Sequence, residues 1–188
     1  MRIGIDIDDT ISFTNKKMIE EALLFDENYV NGKGFKNKNG ETFLEMFYWN
    51  VYHLDAFLKS VSNAKFFLSL EVKGKANEYI TKLYNKGHEI IFITRRRSTL
   101  VTKMSTKKWL KINGFKYNKI AFGMEDKGSY CKNNNIDLFI DNDYKNVKAA
   151  LDLGIDSLLM IDDYNKNLRK YKKVKDWQEI YDYIDGVN

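Results

Sequence analysis

Proline is absent from all 188 residues, and cysteine occurs once, as Cys131. Without proline no turn can rest on a preset φ, so chain reversals fall to glycine, asparagine and aspartate. A single cysteine excludes an intrachain disulfide framework. With only two histidines, His53 and His88, it also excludes a zinc centre built from Cys and His within the chain. A lone thiol fits a reducing compartment. Long apolar runs are missing too, and nothing approaches the ~20 residues that cross a bilayer. The opening Met1-Arg-Ile-Gly-Ile-Asp6 is too short in apolar residues for a signal peptide. The expected location is therefore cytoplasmic, with no membrane partner. No Gly-x-x-x-x-Gly-Lys-Ser/Thr loop is present, which excludes a nucleotide triphosphatase of that design.

What is present is charge. Lys and Arg number 31 against 26 Asp and Glu, a net +5 that favours anionic ligands such as phosphate esters. The basic clusters Arg95–Arg97 and Lys170–Lys173 are short and form no continuous stripe. A lysine-rich solvated surface is the better reading than a nucleic-acid footprint. The length suits one buried core with a modest insertion, not two full domains.

Short apolar runs recur at Arg2–Ile5, Glu89–Ile93, Lys119–Phe122, Asp137–Ile140 and Ser157–Ile161, each bounded by polar turn residues. They are too short for helices and read as buried strands. Helix patterns lie between them. Ala76, Tyr79, Ile80 and Leu83 share one face before Gly87; residues 99–113 end at Gly114; Val147, Ala150 and Leu151 repeat the pattern before Gly154. Asp176 with Glu179 is a capping box for a last helix bearing Trp177, Ile180, Tyr181 and Ile184. Strand alternating with helix predicts an α/β fold, a parallel sheet with helices on both faces.

One interval breaks the alternation. Residues 12–72 carry no strand signal but a helix over 15–27, a polar loop at Asn31–Gly40, and a long aromatic helix from about Thr42 to Ser62. Phe43, Met46, Phe47, Val51, Leu54, Leu58 and Val61 give that helix its apolar face. The expected organisation is a core of residues 1–11 and 73–188 with a small helical cap, 12–72, inserted after the first strand. The Asn31–Gly40 loop is the expected moving element of such a cap.

Ligands of parallel sheets bind outside the carboxyl ends of the strands. Those ends read Asp6-Ile-Asp8-Asp9-Thr10, then Thr94-Arg95, then Gly123 followed by Lys127, then Asp141-Asn142-Asp143. Phosphoryl transfer needs a nucleophile, charge neutralisation at the phosphate oxygens and a proton donor for the leaving group. Asp6 is placed to attack phosphorus, and Asp8 to protonate the leaving oxygen and then activate water. Asp6 and Asp141 would hold Mg2+, which takes one or two carboxylates plus waters and phosphate oxygens. Thr94 and Lys127 would grip the phosphate. Taken singly, each has a structural reading: acids after strands cap helices, and most lysines are surface. Their joint order favours chemistry. Arg95 either contacts phosphate or faces solvent, with solvent preferred.

This ordered set resembles the four signature motifs of the haloacid dehalogenase superfamily, across nearly the whole chain. The resemblance implies a Rossmann-like sheet whose first strand lies between the second and fourth. It also implies that Asp8 binds metal through its backbone carbonyl and that Thr10 holds the loop beside the substrate. The stretch from Ile93-Thr-Arg-Arg96 through Trp109-Leu110, Gly114-Phe115 and Cys131-Lys132 to Asp137-Leu-Phe-Ile-Asp141 is similar to the 5'(3')-deoxyribonucleotidase-like group. That group's substrates are nucleoside monophosphates. Asp141-Asn142 departs from the usual Asp-Asp of the fourth motif, which leaves the outer metal partner open between Asn142 and Asp143. Among the aromatics of the insert, Tyr48, Trp49 and Tyr52 lie off the apolar stripe and are candidates to stack a nucleobase. His53 reads as a packing residue and His88 as a turn residue. Alternatives are a 3'-phosphatase on nucleic-acid ends, a small sugar-phosphate phosphatase and, more distantly, a phospho-accepting receiver module. The sequence leaves the oligomeric state open.

Overall fold

Strands covered on both faces need apolar side chains in both directions, which is what runs such as Ile90-Ile-Phe-Ile93 supply. In the computed structural model, which describes residues 1–162 and 165–187, they form one parallel sheet. Its strands are β1 (Arg2–Ile5), β2 (Glu89–Thr94), β3 (Lys119–Phe122), β4 (Leu138–Asp141), β5 (Asp156–Met160) and β6 (Lys173–Val174). They lie in the order β3-β2-β1-β4-β5-β6. Ile3 pairs with Ile90 on one side and Leu138 on the other, so β1 sits between β2 and β4 as the resemblance implies. The order reverses between β1 and β4, and ligands bind at such a switch point.

The two sheet faces bury different sets of side chains. Ile90, Phe92, Leu138 and Ile140 pack in one cluster with Trp109 of α6 (Leu100–Ile112), Ile80 and Leu83 of α5 (Ala76–Asn85), and Trp177 and Ile180 of α9 (Trp177–Val187). Ile91, Ile93 and Phe139 pack in the other, beneath Cys131 of α7 (Lys127–Asn133) and Ala150 of α8 (Tyr144–Asp152). Leu151, expected on the apolar face of α8, is exposed instead. At α9 the capping pair forms with a shift. Asp176 Oδ1 accepts the Glu179 N–H, while the Glu179 carboxylate takes the N–H of Lys175.

Between β1 and β5's partners the strand bounds fall within one residue of those expected, but β6 is a strand that the sequence did not announce. It has two residues, and the half-buried Lys173 is one of them.

The helical insertion holds the larger corrections. α1 spans Thr14–Phe25 and continues as a π-helical turn over Asp26–Val30. The single long helix expected from Thr42 to Ser62 is instead two, α2 (Phe43–Met46) and α3 (Val51–Val61), followed by α4 (Ala64–Leu68). Phe47 is extended at φ −121, ψ 165 and Asn50 at φ −104, ψ 179, where the Asn50 side chain accepts from the N–H groups of Tyr52 and His53. A helix-start signal at Asn50 therefore overrides the apolar periodicity. The break divides the expected stripe: Phe57 and Val61 are buried, whereas Val51 and Leu58 are exposed. The Asn31–Gly40 loop is fastened at several points. Asp26 Oδ2 accepts the Gly34 N–H at 2.8 Å, and Lys36 N donates to Met46 O at 2.8 Å.

The chain leaves and re-enters the sheet layer through two paired linkers. Phe13 N donates to Glu71 O at 3.0 Å, and Lys73 N to Ile11 O at 2.9 Å. Two buried tryptophans pin these linkers. Trp109 Nε1 donates to Leu70 O at 2.7 Å, and Trp177 Nε1 to Thr10 O at 3.1 Å. Trp177→Phe keeps most of the buried area but removes this donor from the Thr10 carbonyl. Urea unfolding should show a loss of about 1–3 kcal/mol with an unchanged m-value; no change in midpoint would mean that the carbonyl finds another partner.

Candidate active site

Every strand that neighbours the switch point delivers a polar residue to it. β1 runs into Asp6, whose N–H still bonds Ile140 O at 2.9 Å, so the carboxylate starts where the ladder ends. β4 ends on Asp141 and β2 on Thr94. Asp6, Thr94, Lys127 and Asp141 are all buried. Lys127 comes from the first position of α7, after Asp126, whose side chain caps that helix through the Ser129 N–H. Gly128 lets it come so near: a Cβ there would lie 2.9 Å from the Ala149 carbonyl carbon of α8.

Lys127 Nζ donates to Asp6 Oδ1 and, at 2.9 Å, to Asp141 Oδ2. Burial alone would push the ammonium toward neutrality, but the two carboxylates outweigh it and raise its pKa. Asp6 is pushed up to about 7, first by burial and then by Asp141 and Asp8, against the pull of Lys127. Asp141 is oriented by three donors, with Oδ1 taking the Asp143 N–H at 2.8 Å and Oδ2 taking Asn146 Nδ2 at 2.9 Å beside Lys127.

The loop after Asp6 turns through Asp9, a non-glycine residue at φ 59. Asp9 Oδ1 accepts the Asn15 N–H at 2.9 Å, and Lys73 Nζ donates to its carbonyl at 2.6 Å. Thr10 is fully buried and its hydroxyl donates toward Asp6 Oδ2 at 3.3 Å and accepts the Asn142 N–H at 3.2 Å. This is the loop-holding position; no surface of Thr10 faces an open space. Asn142 Nδ2 donates to Asp162 Oδ2 at 3.0 Å, and Asn165 Nδ2 donates to Asn142 O at 2.8 Å. Asn142 thus joins the motif loop to the segment after β5, and Asp143 caps α8 through the Lys145 N–H.

Asp8 has a partner that sequence reasoning missed. Arg96 Nη2 donates to Asp8 Oδ1 at 2.7 Å and Nε to Oδ2 at 3.0 Å, while Thr14 Oγ1 donates to Oδ1 at 2.7 Å. Burial pushes Asp8 up, but the Arg96 charge and these hydrogen bonds outweigh it and hold the carboxyl below the usual range. The signal available beforehand was only the Arg95–Arg97 run, read as excess charge. Arg95 is about half exposed, yet not free in solvent: it donates to Asp143 Oδ2 at 3.2 Å and Asn146 Oδ1 at 2.8 Å.

The aromatic candidates separate. Trp49 is buried, its ring nearly parallel to Phe47 at 4.6 Å and to Phe43 at 6.1 Å, and its indole N–H goes to Asp26 Oδ1 at 2.7 Å. It packs the interior of the insertion and offers no open face for a base. Tyr48 and Tyr52 are exposed. A cavity of about 670 Å3 does open beside the motif loop, lined by Asp9, Phe13, Ile19, Lys73, Ile161 and Asp162 among others, and none of the three aromatic candidates lines it.

The donor set fits a hard divalent cation. Asp6 and Asp141, two buried carboxylates brought in by adjacent strands, offer only oxygen. Burial first, and then the neighbouring Asp141 and Asp8 carboxylates, drive Asp6 upward despite Lys127, a state that added positive charge would relieve. Among the described residues no group of three or more His, Cys, Asp or Glu side chains forms a metal cluster. Mg2+ needs only one or two such side chains.

The family model for 5' nucleotidase, deoxy (pyrimidine), cytosolic type C protein matches residues 1–188. The chain belongs to that family. It is a haloacid dehalogenase-superfamily phosphatase, and the expected superfamily and enzyme class are both borne out. It is 23% identical over 187 residues to a protein of Oceanobacillus iheyensis that carries the name putative nucleotidase OB0422, covering 95% of this chain and 96% of the relative. Its fold is that of a haloacid dehalogenase-like hydrolase from Streptococcus pneumoniae, with a TM-score of 0.72, 13% identity and 98% of each chain covered. A putative beta-phosphoglucomutase from Thermotoga maritima aligns over 100% of both chains, with a TM-score of 0.71 and 14% identity.

Asp9 generates a pH prediction. Burial, with a smaller push from Asp8, raises its carboxyl to about 6 from an ordinary 3.8. A raised acid favours the folded state while protonated, so its contribution is full below the ordinary value and is lost as pH rises through about 6. Asp9→Asn keeps the Oδ1 acceptor and tolerates the left-handed backbone. Melting temperatures in EDTA should match wild type near pH 4 and exceed it by a few degrees at pH 7; a pH-independent difference would contradict this account.

Proposed function

We propose that this phosphatase hydrolyses nucleoside monophosphates, with Mg2+, through an aspartyl-phosphate formed on Asp6. The observation that carries the reading is the Lys127 ammonium set between the Asp6 and Asp141 carboxylates at the sheet's switch point. Asp6 Oδ attacks phosphorus and the bond to the ester oxygen breaks. Asp8 enters this step carrying a proton, against the pull of Arg96, and gives it to that oxygen. Asp8 then takes a proton from water, which attacks phosphorus and releases inorganic phosphate and free Asp6. Thr94 and Lys127 hold the phosphoryl oxygens, and Thr10 keeps Asp6 in place from below. Asp6, Asp141 and the Asp8 carbonyl would hold Mg2+, whose positive charge offsets that of the phosphoryl group.

The helical insertion 12–72 serves as the cap. The cavity beside Asp9 is of a size that takes a nucleoside, and Phe13, Ile19 and Ile161 supply its apolar walls. Phe13, and neither Tyr48 nor Tyr52, is the aromatic side chain that lines this cavity. The family match and the named nucleotidase relative support the substrate class. The location expected is cytoplasmic, and a small-molecule substrate is favoured over a nucleic acid.

Phosphate release from deoxy- and ribonucleoside 5'- and 3'-monophosphates, sugar phosphates, a 3'-phosphorylated oligonucleotide and an aryl phosphate tests this. Mg2+-dependent release favouring mononucleotides is the expected outcome. Asp6→Asn should abolish turnover in a folded protein, and Asp141→Ala should raise the Mg2+ needed for half-maximal rate at least tenfold, a loss in line with removing a metal ligand. Release only from sugar phosphates, or equal release with EDTA, would sink the substrate or the metal assignment respectively.

A further inference from the structure

Arg96 is the one buried arginine of the Arg95–Arg97 run, and each of its three guanidinium nitrogens has a protein partner. Nε and Nη2 grip Asp8, Nη1 donates to Thr106 Oγ1 of α6 at 3.0 Å, and the plane lies 4.8 Å over the Phe67 ring of α4. Its side chain is 4% exposed, against 33% for that of Asp8. Buried this deeply, with all three nitrogens already on protein partners, the fork is not presented to solvent, so a substrate-gripping role does not fit. The backbone of Arg96 is fixed as well: its N–H donates to Thr94 Oγ1 at 3.1 Å, and its carbonyl accepts the Gly123 N–H at 2.9 Å. A buried fork of this kind sets the orientation of a carboxylate in a way that a point charge does not. At Asp8 the donors converge on Oδ1, which takes Arg96 Nη2 and Thr14 Oγ1 as its short partners, while Oδ2 receives Arg96 Nε alone.

We propose that Arg96 is a positioning residue that fixes the Asp8 carboxylate with Oδ2 toward the reacting phosphate. Through Phe67, it makes that orientation depend on how α4 docks against α6. This rests on the assignment of Asp8 as the acid/base group above, but not on the nucleotide specificity. A residue that acts only through Asp8 loses its effect once Asp8 can no longer carry a proton. A residue that merely stabilises the fold does not.

The experiment is a kinetic double-mutant cycle of Arg96→Ala and Asp8→Asn in the full-length protein, read as kcat on an aryl phosphate. Its good leaving group keeps the Asp8→Asn rate measurable. Arg96→Ala should lower kcat by on the order of 100-fold in the wild-type background. In the Asp8→Asn background it should change kcat by less than about twofold. Arg96→Lys, with charge but no fork, should fall between. The same full loss in both backgrounds, or an Arg96→Lys variant equal to wild type, overturns the proposal. Phe67→Ala leaves the ion pair intact and should show a smaller, likewise Asp8-dependent loss. Turnover of the aryl phosphate without nucleotides would retire the nucleotidase reading and leave this test standing. If nothing is hydrolysed, the acid/base assignment fails with the proposed function. The hold on Asp8 is then decided by melting temperature. Arg96→Ala should lower Tm by roughly 5–15 °C when Asp8 is present, and by clearly less in Asp8→Asn; additive shifts overturn it.

Discussion

Three carboxylates cannot share the end of a parallel sheet unless something positive stands among them, and here Lys127 is that group. Asp6 and Asp141 arrive on adjacent strands, β1 and β4, so the sheet order itself brings two negative charges together in a buried place. Like charges at that distance, removed from water, oppose folding. The ammonium between them offsets the repulsion, and its delivery constrains the neighbouring structure. α7 must begin at Lys127, Asp126 must cap it, and Gly128 must lie against the backbone of α8. α8 in turn supplies Asn146, which bonds Asp141 on one side and receives Arg95 on the other. Truncating Lys127 would leave two buried acids facing each other, which is costlier than losing the contacts themselves.

The motif loop is held in the same manner, from many directions at once. Asp9 adopts a left-handed backbone that costs energy for a residue with a Cβ. It is kept there by Asn15, by Lys73 and by the turn that follows, where Ile11 and Ser12 both donate to Ile7 O. Thr10 ties Asp6 to Asn142 with its hydroxyl and takes the Trp177 indole at its carbonyl. A helix more than 160 residues away in sequence therefore secures the loop that carries both proposed catalytic acids. In the proposed chemistry Asp6 must meet phosphorus in line with the departing oxygen, and fixed geometry of this kind is what lowers the entropic part of that barrier.

The parts legible in the sequence are those governed by short-range rules. Buried strands announce themselves by apolar runs, and four polar strand ends in a parallel sheet name the residues that meet. β6 stayed hidden because two residues, one of them Lys173, carry no period. The break between α2 and α3 was concealed by an apolar periodicity that runs through it, though Asn50 held the counter-signal. Trp49 was misread for a related reason: spacing puts a residue on or off a stripe only while the helix continues, and the extended Phe47 turns Trp49 inward to Asp26. Asp26 itself, a buried acid that binds both Trp49 and Gly34, gave no hint at all, because neither partner stands at a spacing that a helix or strand period would pair with it.

Arg95 and Arg96 show why a run of like charges says little until the fold is known. Both follow the same strand, yet one lies half exposed beside Asp143 and the other is buried against Asp8. The difference decides the charge available to a substrate. Asp6, Asp8 and Asp141 carry three negative charges when ionised, and Lys127 and Arg96 carry two positive ones, so the pocket is short by one before any ligand arrives. Arg96 is spent on Asp8 in geometry as well as in charge. A phosphate ester would bring further negative charge toward a group of acids whose buried cations, Lys127 and Arg96, are already paired with carboxylates. An all-oxygen set that is short of positive charge, and tighter still with substrate bound, is the electrostatic argument for a divalent cation at Asp6 and Asp141. The same argument explains why a net charge of +5 on the whole chain does not by itself make the pocket attractive to phosphate. Surface lysines draw the anion in, whereas accepting it depends on what stands between the two carboxylates.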